Sequence, residues 1–203
     1  MNDLVQEILR GSYDLHVHAG PDPNEERRLD ALETARNAYE AEMGGFVLKS
    51  HQYPTAPLAY ALNRMYPGLT VAGSISLNRS VGGLNPDAVQ VAADMDAKVV
   101  WMPTVNADHF LKAQGRGPGI GLTDDEGGLR PEVIDILDIV GQRDLVLASG
   151  HASPSEAMTL FKQAKAMGVQ RMIATHPLGV ATIDEQREMI SLGAYAEHTL
   201  LSC

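Results

Sequence analysis

The sequence predicts a parallel α/β fold, and three observations support that prediction. Short apolar runs alternate with helical patterns along all 203 residues, as in a chain built from repeated βαβ units. The apolar runs lack a strict polar alternation, which is typical of parallel strands covered on both faces. Capping motifs mark where several of the intervening helices begin.

Seven apolar runs are candidate strands, and their number bears on the architecture. They span residues 13–18, 45–50, 69–77, 98–104, 145–150, 171–175 and 194–201. This spacing only partly decides between an open sheet and a barrel. Because a (β/α)8 barrel takes about 250 residues, we expect residues 1–203 to form one domain with a TIM-type barrel that lacks its last βα unit. A natural gene product of 203 residues would instead indicate a seven-stranded barrel.

The helices between the strands have recognisable beginnings and ends. Apolar residues at helical spacing within 4–9 predict a short amphipathic helix. Asn85-Pro86 reads as an N-cap followed by a first-turn proline, and residues 153–156 and 182–185 each form a capping-box sequence. Glycines stand where three helices are expected to end: Gly68, Gly168 and Gly193.

Composition and charge narrow the classes of partner. With a formal net charge of −10 and no basic patch, the chain is not expected to bind nucleic acid or an anionic membrane. No apolar run approaches the roughly 20 residues of a membrane span, and residues 1–10 do not resemble a signal peptide. Cys203 is the only cysteine, so a reducing cytoplasm is the expected location. The expected partner is a small-molecule substrate, and a homo-oligomer is compatible with the sequence.

Residues 14–18, Asp-Leu-His-Val-His, are the most informative stretch. His16 and His18 lie two residues apart on a predicted strand, so both side chains point to one face. Such a pair presents two neutral nitrogens to a divalent metal. Asp14 either orients one of these histidines or binds backbone groups at the start of the strand.

The other histidines also follow predicted strands. Four of them stand at or near strand ends: His51, His151, His176 and His198. His109 follows the fourth strand, and none of the seven histidines falls in a predicted helix. Because the carboxyl ends of barrel strands form the active-site rim, this distribution allows all seven to converge on one mouth, with His109 read as a loop residue rather than a ligand. Residues 105–130 form an insertion that is either a lid over this mouth or a surface loop.

Lys49 is unusual because it lies within an otherwise apolar strand. It shares a strand face with Val47 and His51. A lysine is costly to bury there without a role or a partner. It is therefore predicted either to belong to the site or to pair with an acid such as Glu197.

These residues carry a resemblance to a known superfamily. Asp-x-His-x-His at the end of the first strand, with single histidines ending the fifth and sixth strands, resembles the amidohydrolase superfamily of metal-dependent hydrolases. The runs YDLHVHAGPD, VLKSH and VVWMPT resemble, more narrowly, an uncharacterised amidohydrolase-like family. The resemblance extends over essentially the whole chain. It implies a TIM-type barrel with one or two divalent metal ions, zinc first and manganese or iron as alternatives.

The resemblance also implies a ligand set. His16 and His18 would bind the more buried metal, and His151 and His176 the second one. Many relatives bridge the metals with a carboxylated lysine or a glutamate from the fourth strand, and take a base from an aspartate of the eighth strand. Neither residue is found here, so Lys49, if carboxylated, is the candidate for the bridge.

The implied reaction is hydrolysis by a metal-bound water, whose pKa the metal lowers toward neutrality. The bond cleaved would be an amide, ester or lactone. His51 and His198 are the candidate catalytic residues, with a structural role as the alternative. Two other functions stay open: a phosphoesterase of the polymerase-and-histidinol-phosphatase type, which also opens with His-x-His, and a non-catalytic metabolite-binding barrel. The phosphoesterases usually end with a His-x-Asp pair, which this sequence lacks.

Overall fold

Seven parallel strands form one curved sheet in the computed structural model, which describes residues 3–199. The strands lie side by side in chain order, and each neighbouring pair is parallel. Their bounds are β1 Tyr13–His18, β2 Gly45–Lys49, β3 Thr70–Ser76, β4 Ala97–Trp101, β5 Val146–Ala148, β6 Arg171–Ala174 and β7 Ala194–Ala196. This sequential parallel order confirms the predicted TIM-type α/β architecture, with seven barrel strands in the described part of the chain.

Helices connect the strands and cover the outer face of the sheet. Their bounds are α1 Asp3–Leu9, α2 Ala31–Glu40, α3 Ala56–Met65, α4 Pro86–Asp94, α5 Asp108–Ala113, α6 Pro131–Gln142, α7 Pro154–Ala166 and α8 Ile183–Ser191. Among the described residues, no helix combines the length and the apolar character that crossing a lipid bilayer requires.

The predicted helix starts are confirmed by side-chain hydrogen bonds. The hydroxyls of Ser153 and Thr182 accept from the backbone N–H three residues later, and Glu156 and Glu185 reach back to the cap residues. The Asn85 side chain likewise caps α4. These bonds satisfy backbone donors that have no partner within the helix, and so fix where each helix leaves the sheet.

The apolar core has an inner and an outer part. Inside the curve of the sheet, four buried side chains pack together: Val47, Val99, Trp101 and Ala148. Two larger clusters lie between the sheet and its helices. Because side chains alternate along a strand, Lys49 points to the inner side with Val47, and it is only 1% exposed.

The two edge strands meet without pairing. Among the described residues, β1 and β7 share no backbone hydrogen bonds. Instead, His16 of β1 contacts Glu197, the residue that follows β7, with 2.9 Å between Nδ1 and Oε2. The sheet is therefore curled enough to bring its first and last strands together at their carboxyl ends.

Two sequence predictions need correction. The last strand ends at Ala196, before the predicted end at residue 201, and Glu197 turns toward His16; residues 200 and 201 lie outside the described residues. His109 lies in α5, although no histidine was predicted in a helix. An ion pair between Asp108 and Lys112, one helical turn apart, supports this short helix.

Replacing Gly150 with alanine should destabilise the protein more than replacing Gly168, although both have left-handed φ angles, 62° and 85°. A Cβ at Gly150 would lie 2.2 Å from the Met102 carbonyl oxygen, whereas nothing lies within 4 Å at Gly168. The left-handed conformation costs both variants about 1–2 kcal/mol, and crowding should add about 1–3 kcal/mol at Gly150. Urea unfolding measures both losses, and equal losses would contradict this account.

Candidate metal centre

A cavity of about 1200 Å³ lies along the gap between β1 and β7, and its lining reaches from the amino ends of the strands to their carboxyl ends. Six of the seven histidines line it: His16, His18, His51, His151, His176 and His198. They come from the ends of five strands, β1, β2, β5, β6 and β7. Because parallel strands end on one side of the sheet, residues far apart in sequence share one wall.

The first strand places its two histidines against each other. The Nε2 atoms of His16 and His18 are 3.2 Å apart. One extra residue bulges out of β1 between Asp14 and Val17, and the Asp14 carboxylate accepts the N–H of His16 at 3.0 Å. Of the two roles predicted for Asp14, the structure therefore shows the backbone one.

Glu197 fixes the orientation and the tautomer of His16. A carboxylate only accepts hydrogen bonds, so Nδ1–H of His16 donates to Glu197 Oε2 at 2.9 Å. The lone pair of the neutral ring is then on Nε2, the nitrogen that faces His18. Both side chains are nearly buried, and Glu197 Oε1 has no hydrogen-bond partner in the described structure.

Lys49 lies beneath these histidines. Its Nζ is 3.0 Å from His16 Nε2 and 3.9 Å from the centre of the Trp101 ring. Burial lowers the pKa of Lys49 to about 7, against the opposing field of Glu197. The predicted direct pair of Lys49 with Glu197 is absent among the described residues, because each side chain binds a different nitrogen of His16.

His51 is held by a buried polar network. Its Nδ1 is 2.7 Å from the Thr104 hydroxyl, which also accepts from the Asn78 amide at 2.7 Å. The hydroxyl has one proton, and donating it to Nδ1 leaves no buried donor unsatisfied. This assigns the proton of neutral His51 to Nε2, which can then act as a hydrogen-bond donor.

The histidine rings lie close to one another across the mouth of the cavity. The centre of the His18 ring is 4.6 Å from that of His51, and His151 is 5.0 Å from His176. His151 Nδ1 is buried without a hydrogen-bond partner. Phe110, from the 105–130 insertion, packs against His151 at 4.8 Å.

Burial keeps these rings neutral. It is the largest cause that lowers the pKa of His18 to about 2, of His51 to about 3 and of His151 to about 2, and the charge of Lys49 comes second. The pKa of His176 is lowered for the same two reasons. Neutral imidazole is the form that binds metal ions.

The residues present fit a divalent metal in their donor chemistry. Two nitrogens bound to one tetrahedral zinc lie about 3.4 Å apart, close to the 3.2 Å between His16 Nε2 and His18 Nε2. Glu197 accepts the Nδ1–H of His16, and a carboxylate in this position orients many metal-binding histidines. In the described structure His151 Nδ1 has no hydrogen-bond partner, so this nitrogen is a further donor atom for an ion. However, no three His, Cys, Asp or Glu side chains in the described structure lie close enough together to hold one ion.

Sequence reasoning predicted most of the polar residues gathered at this cavity and missed some of their contacts. It predicted the six histidines of the cavity wall and Lys49, whereas His109 lies outside that wall. It considered Glu197 only as a partner of Lys49, because nothing in the sequence shows that β1 and β7 meet. The Thr104 and Asn78 contacts to His51 were also missed, since they join three separate strand ends.

Comparisons with known proteins agree with this architecture. The sequence matches the family of unknown function DUF6282 over residues 11–197. No curated protein matches it.

Three solved structures resemble the fold at low sequence identity. The probable dipeptidase PvdM from Pseudomonas aeruginosa is 12% identical, with a TM-score of 0.61 over 97% of this chain and 61% of its own. An amidohydrolase from the same organism is 10% identical, with a TM-score of 0.64 over 96% of this chain and 63% of its own. A probable 2-pyrone-4,6-dicarboxylic acid hydrolase from Acinetobacter baumannii is 13% identical, with a TM-score of 0.53 over 92% of this chain and 69% of its own. The chain thus spans less than two thirds of the first two structures, and the likeness shows that it shares their fold.

The free energy of unfolding of the chelator-treated protein should fall as the pH is lowered from 7 to 4. His18, His51 and His151 have folded pKa values far below 6.5, so in this window the unfolded chain binds more protons and stability rises with pH. Replacing His151 with glutamine should make the slope shallower by up to about 1.4 kcal/mol per pH unit.

Urea unfolding at each pH measures this slope. The control is Ile75→Val, a change in the buried core that should lower stability by about 0.5–1.5 kcal/mol at every pH. A His151→Gln protein with the wild-type slope would show that His151 is not held neutral by the fold.

Proposed function

The chain belongs to the family DUF6282, and we propose that it is a metal-dependent hydrolase that cleaves an amide, ester or lactone bond of a small molecule. One observation carries the proposal: five strand ends bring six histidines to one cavity, with two Nε2 atoms 3.2 Å apart and a carboxylate behind one of them. The similarity in fold to a probable dipeptidase, an amidohydrolase and a probable pyrone hydrolase supports a hydrolytic reaction.

In this proposal, His16 and His18 hold the first divalent ion, and His151 and His176 hold a second. Zinc suits a histidine-rich donor set, and manganese or iron are the alternatives. The chemistry that a divalent ion would supply there is a bound water of lowered pKa and polarisation of a carbonyl oxygen. Because no three ligands converge in the described structure, we expect side-chain rearrangement when an ion binds.

Three residues of the chain would have roles besides ligation. Glu197 holds the His16 ring in the tautomer whose lone pair is on Nε2, the nitrogen that Lys49 Nζ contacts at 3.0 Å in this structure. His51 carries its proton on Nε2 because Thr104 occupies Nδ1, so it can donate a hydrogen bond to an oxygen that gains negative charge. His198, at the exposed end of the cavity, is the second candidate for proton transfer to the leaving group.

Lys49 is the fifth candidate ligand. Its amine has a pKa of about 7, so a large fraction is uncharged near neutral pH and able to react with carbon dioxide. The product, a carbamate, would place an anionic oxygen donor next to His16. In this step the amine nitrogen forms a bond to the carbon of carbon dioxide, one C=O π pair moves onto oxygen, and an N–H bond breaks to release a proton.

Zinc added to the chelator-treated protein should stabilise it by about 2.7 kcal/mol at 100 times its Kd. Replacing His18 with asparagine should abolish this stabilisation, because the paired Nε2 donor is lost. The matched control is His109→Asn, outside the cavity wall. Calorimetric titration and thermal unfolding measure binding, and a panel of lactones, esters, amides and phosphate esters then identifies the bond.

Replacing Glu197 with glutamine should lower zinc affinity by about 10- to 100-fold. The amide can no longer hold the Nδ1–H of His16 as a charged acceptor does. Glu188→Gln on α8, whose carboxylate pairs with Lys162 at the surface, is the control. Equal affinity of the Glu197→Gln and wild-type proteins would show that the charge of Glu197 has no part in preparing His16 for the metal.

Replacing Lys49 with methionine decides whether it is a ligand. If the carbamate forms, bicarbonate should strengthen zinc binding in the wild-type protein and have no effect on Lys49→Met. Unchanged affinity in Lys49→Met, with or without bicarbonate, would exclude Lys49 from the site.

A second candidate function is a metabolite-binding barrel without catalysis. The observation that favours it is the lack of three converging ligands in residues 3–199. A protein that binds no divalent metal and hydrolyses none of the panel would support this candidate. Phosphate-ester hydrolysis alone would instead support the phosphoesterase alternative.

A further inference from the structure

The cavity has an arginine in its wall that the proposed chemistry does not use. Arg27 belongs to the segment between β1 and α2. It lines the cavity beside His18 and His51, together with Glu25. Its side chain is only 18% exposed, so its charge is largely shielded from solvent.

One edge of the Arg27 guanidinium is fixed by a buried carboxylate. Asp22 Oδ2 accepts from Nε at 3.1 Å and from Nη2 at 2.7 Å. The Asp22 side chain is 8% exposed, and its other oxygen accepts the N–H of Asn24 at 3.0 Å. Although burial acts to raise the pKa of Asp22, the bonds from Asn24 and Arg27 hold it below its usual range. The arginine is therefore oriented before any ligand arrives.

The other end of the guanidinium has a replaceable partner. Nη1 of Arg27 is 2.7 Å from Glu25 Oε2, and the Glu25 side chain is 59% exposed. Ion pairs this exposed contribute little to stability. A ligand carboxylate inside the cavity, where water is partly excluded, can take the place of Glu25 on the same N–H groups.

No other cation on the cavity wall is placed to do this. Arg171 also lines the cavity, but it lies at the amino end of β6 and is bound to Asp144. Lys49 is buried beneath His16 and Trp101. Within the described residues, Arg27 is thus the cation of the cavity wall at the histidine end.

We propose that Arg27 forms a carboxylate-binding subsite of the cavity, with Glu25 as an exchangeable occupant, so that the substrate is a small molecule with an anionic group. This proposal deepens the proposed function, and calling the ligand a substrate rests on that function. The subsite itself is inferred from the contacts of Arg27. The carboxylate would bind Nη1 of Arg27, and the rest of the molecule would extend toward the histidines.

The experiment measures binding of dicarboxylates to the full-length protein as purified, without any reaction. The probes are succinate, glutarate and adipate, each with its uncharged diamide. Trp101, the only tryptophan, lies with its ring 4.8 Å from that of His16, and its fluorescence is recorded during each titration. Calorimetric titration gives an independent Kd.

At least one dicarboxylate should bind about tenfold or more tightly than its diamide. Arg27→Met should remove that preference, and Glu25→Gln should strengthen dicarboxylate binding, because the competing carboxylate is gone. The matched controls are the exposed neighbours Arg28→Met and Glu26→Gln, which change net charge equally and lie outside the cavity wall. If Arg27→Met fails to fold, Arg27→Lys keeps the charge, and its loss of the planar fork should still weaken dicarboxylate binding.

The proposal is overturned if no dicarboxylate binds the wild-type protein better than its diamide. It is also overturned if the Arg27 variants keep the preference, or if Arg28→Met loses it equally. Failure of the hydrolase proposal looks different: Arg27-dependent binding would persist in a protein that neither binds zinc nor hydrolyses any compound. Conversely, hydrolysis without an effect of Arg27 on dicarboxylate binding would leave the hydrolase and remove the subsite.

Discussion

The contact between His16 and Glu197 is the interaction on which the rest of the site depends. It joins the first and last strands of a sheet whose edges share no backbone hydrogen bonds in the described structure. The same contact sets the ring orientation and tautomer of His16, and hence which nitrogen faces His18. The approach of β1 to the end of β7 and the orientation of His16 therefore depend on the same contact. A carboxylate placed there also offsets the basic residues gathered at the mouth.

Desolvation is the second constraint. Six histidines and a lysine meet in a region where charged side chains are costly to bury, and the fold accommodates them by holding most of them neutral. Neutral imidazoles bind metal ions and donate or accept single protons, so the condition that lets the cluster fold also prepares it for chemistry. The cost appears at low pH, where the unfolded chain gains protons that the folded site cannot take up.

Many elements of this structure were predictable from local patterns. Side-chain alternation along a strand explains why His16 and His18 point the same way, and the periods of two and 3.6 residues separate the seven strands from the helices. Capping chemistry explains the helix starts at Ser153 and Thr182. The gathering of His51, His151 and His176 follows from parallel pairing, which puts every strand end on one side. His109 shows the limit of such reasoning, since a short helix stabilised by Asp108 and Lys112 took the place of a predicted loop.

By itself, the sequence determined the fold class, the side of the sheet at which the histidines gather and which histidines line the cavity. Only the tertiary structure decided which groups touch: Glu197 on His16, Thr104 on His51, Lys49 under Trp101, and Asp22 on Arg27. The physical reason is the sequence distance over which each kind of interaction acts. Strand and helix patterns act between near neighbours in the chain, whereas the curl of the sheet brings residues 16 and 197 within 2.9 Å, and no local pattern encodes that curl.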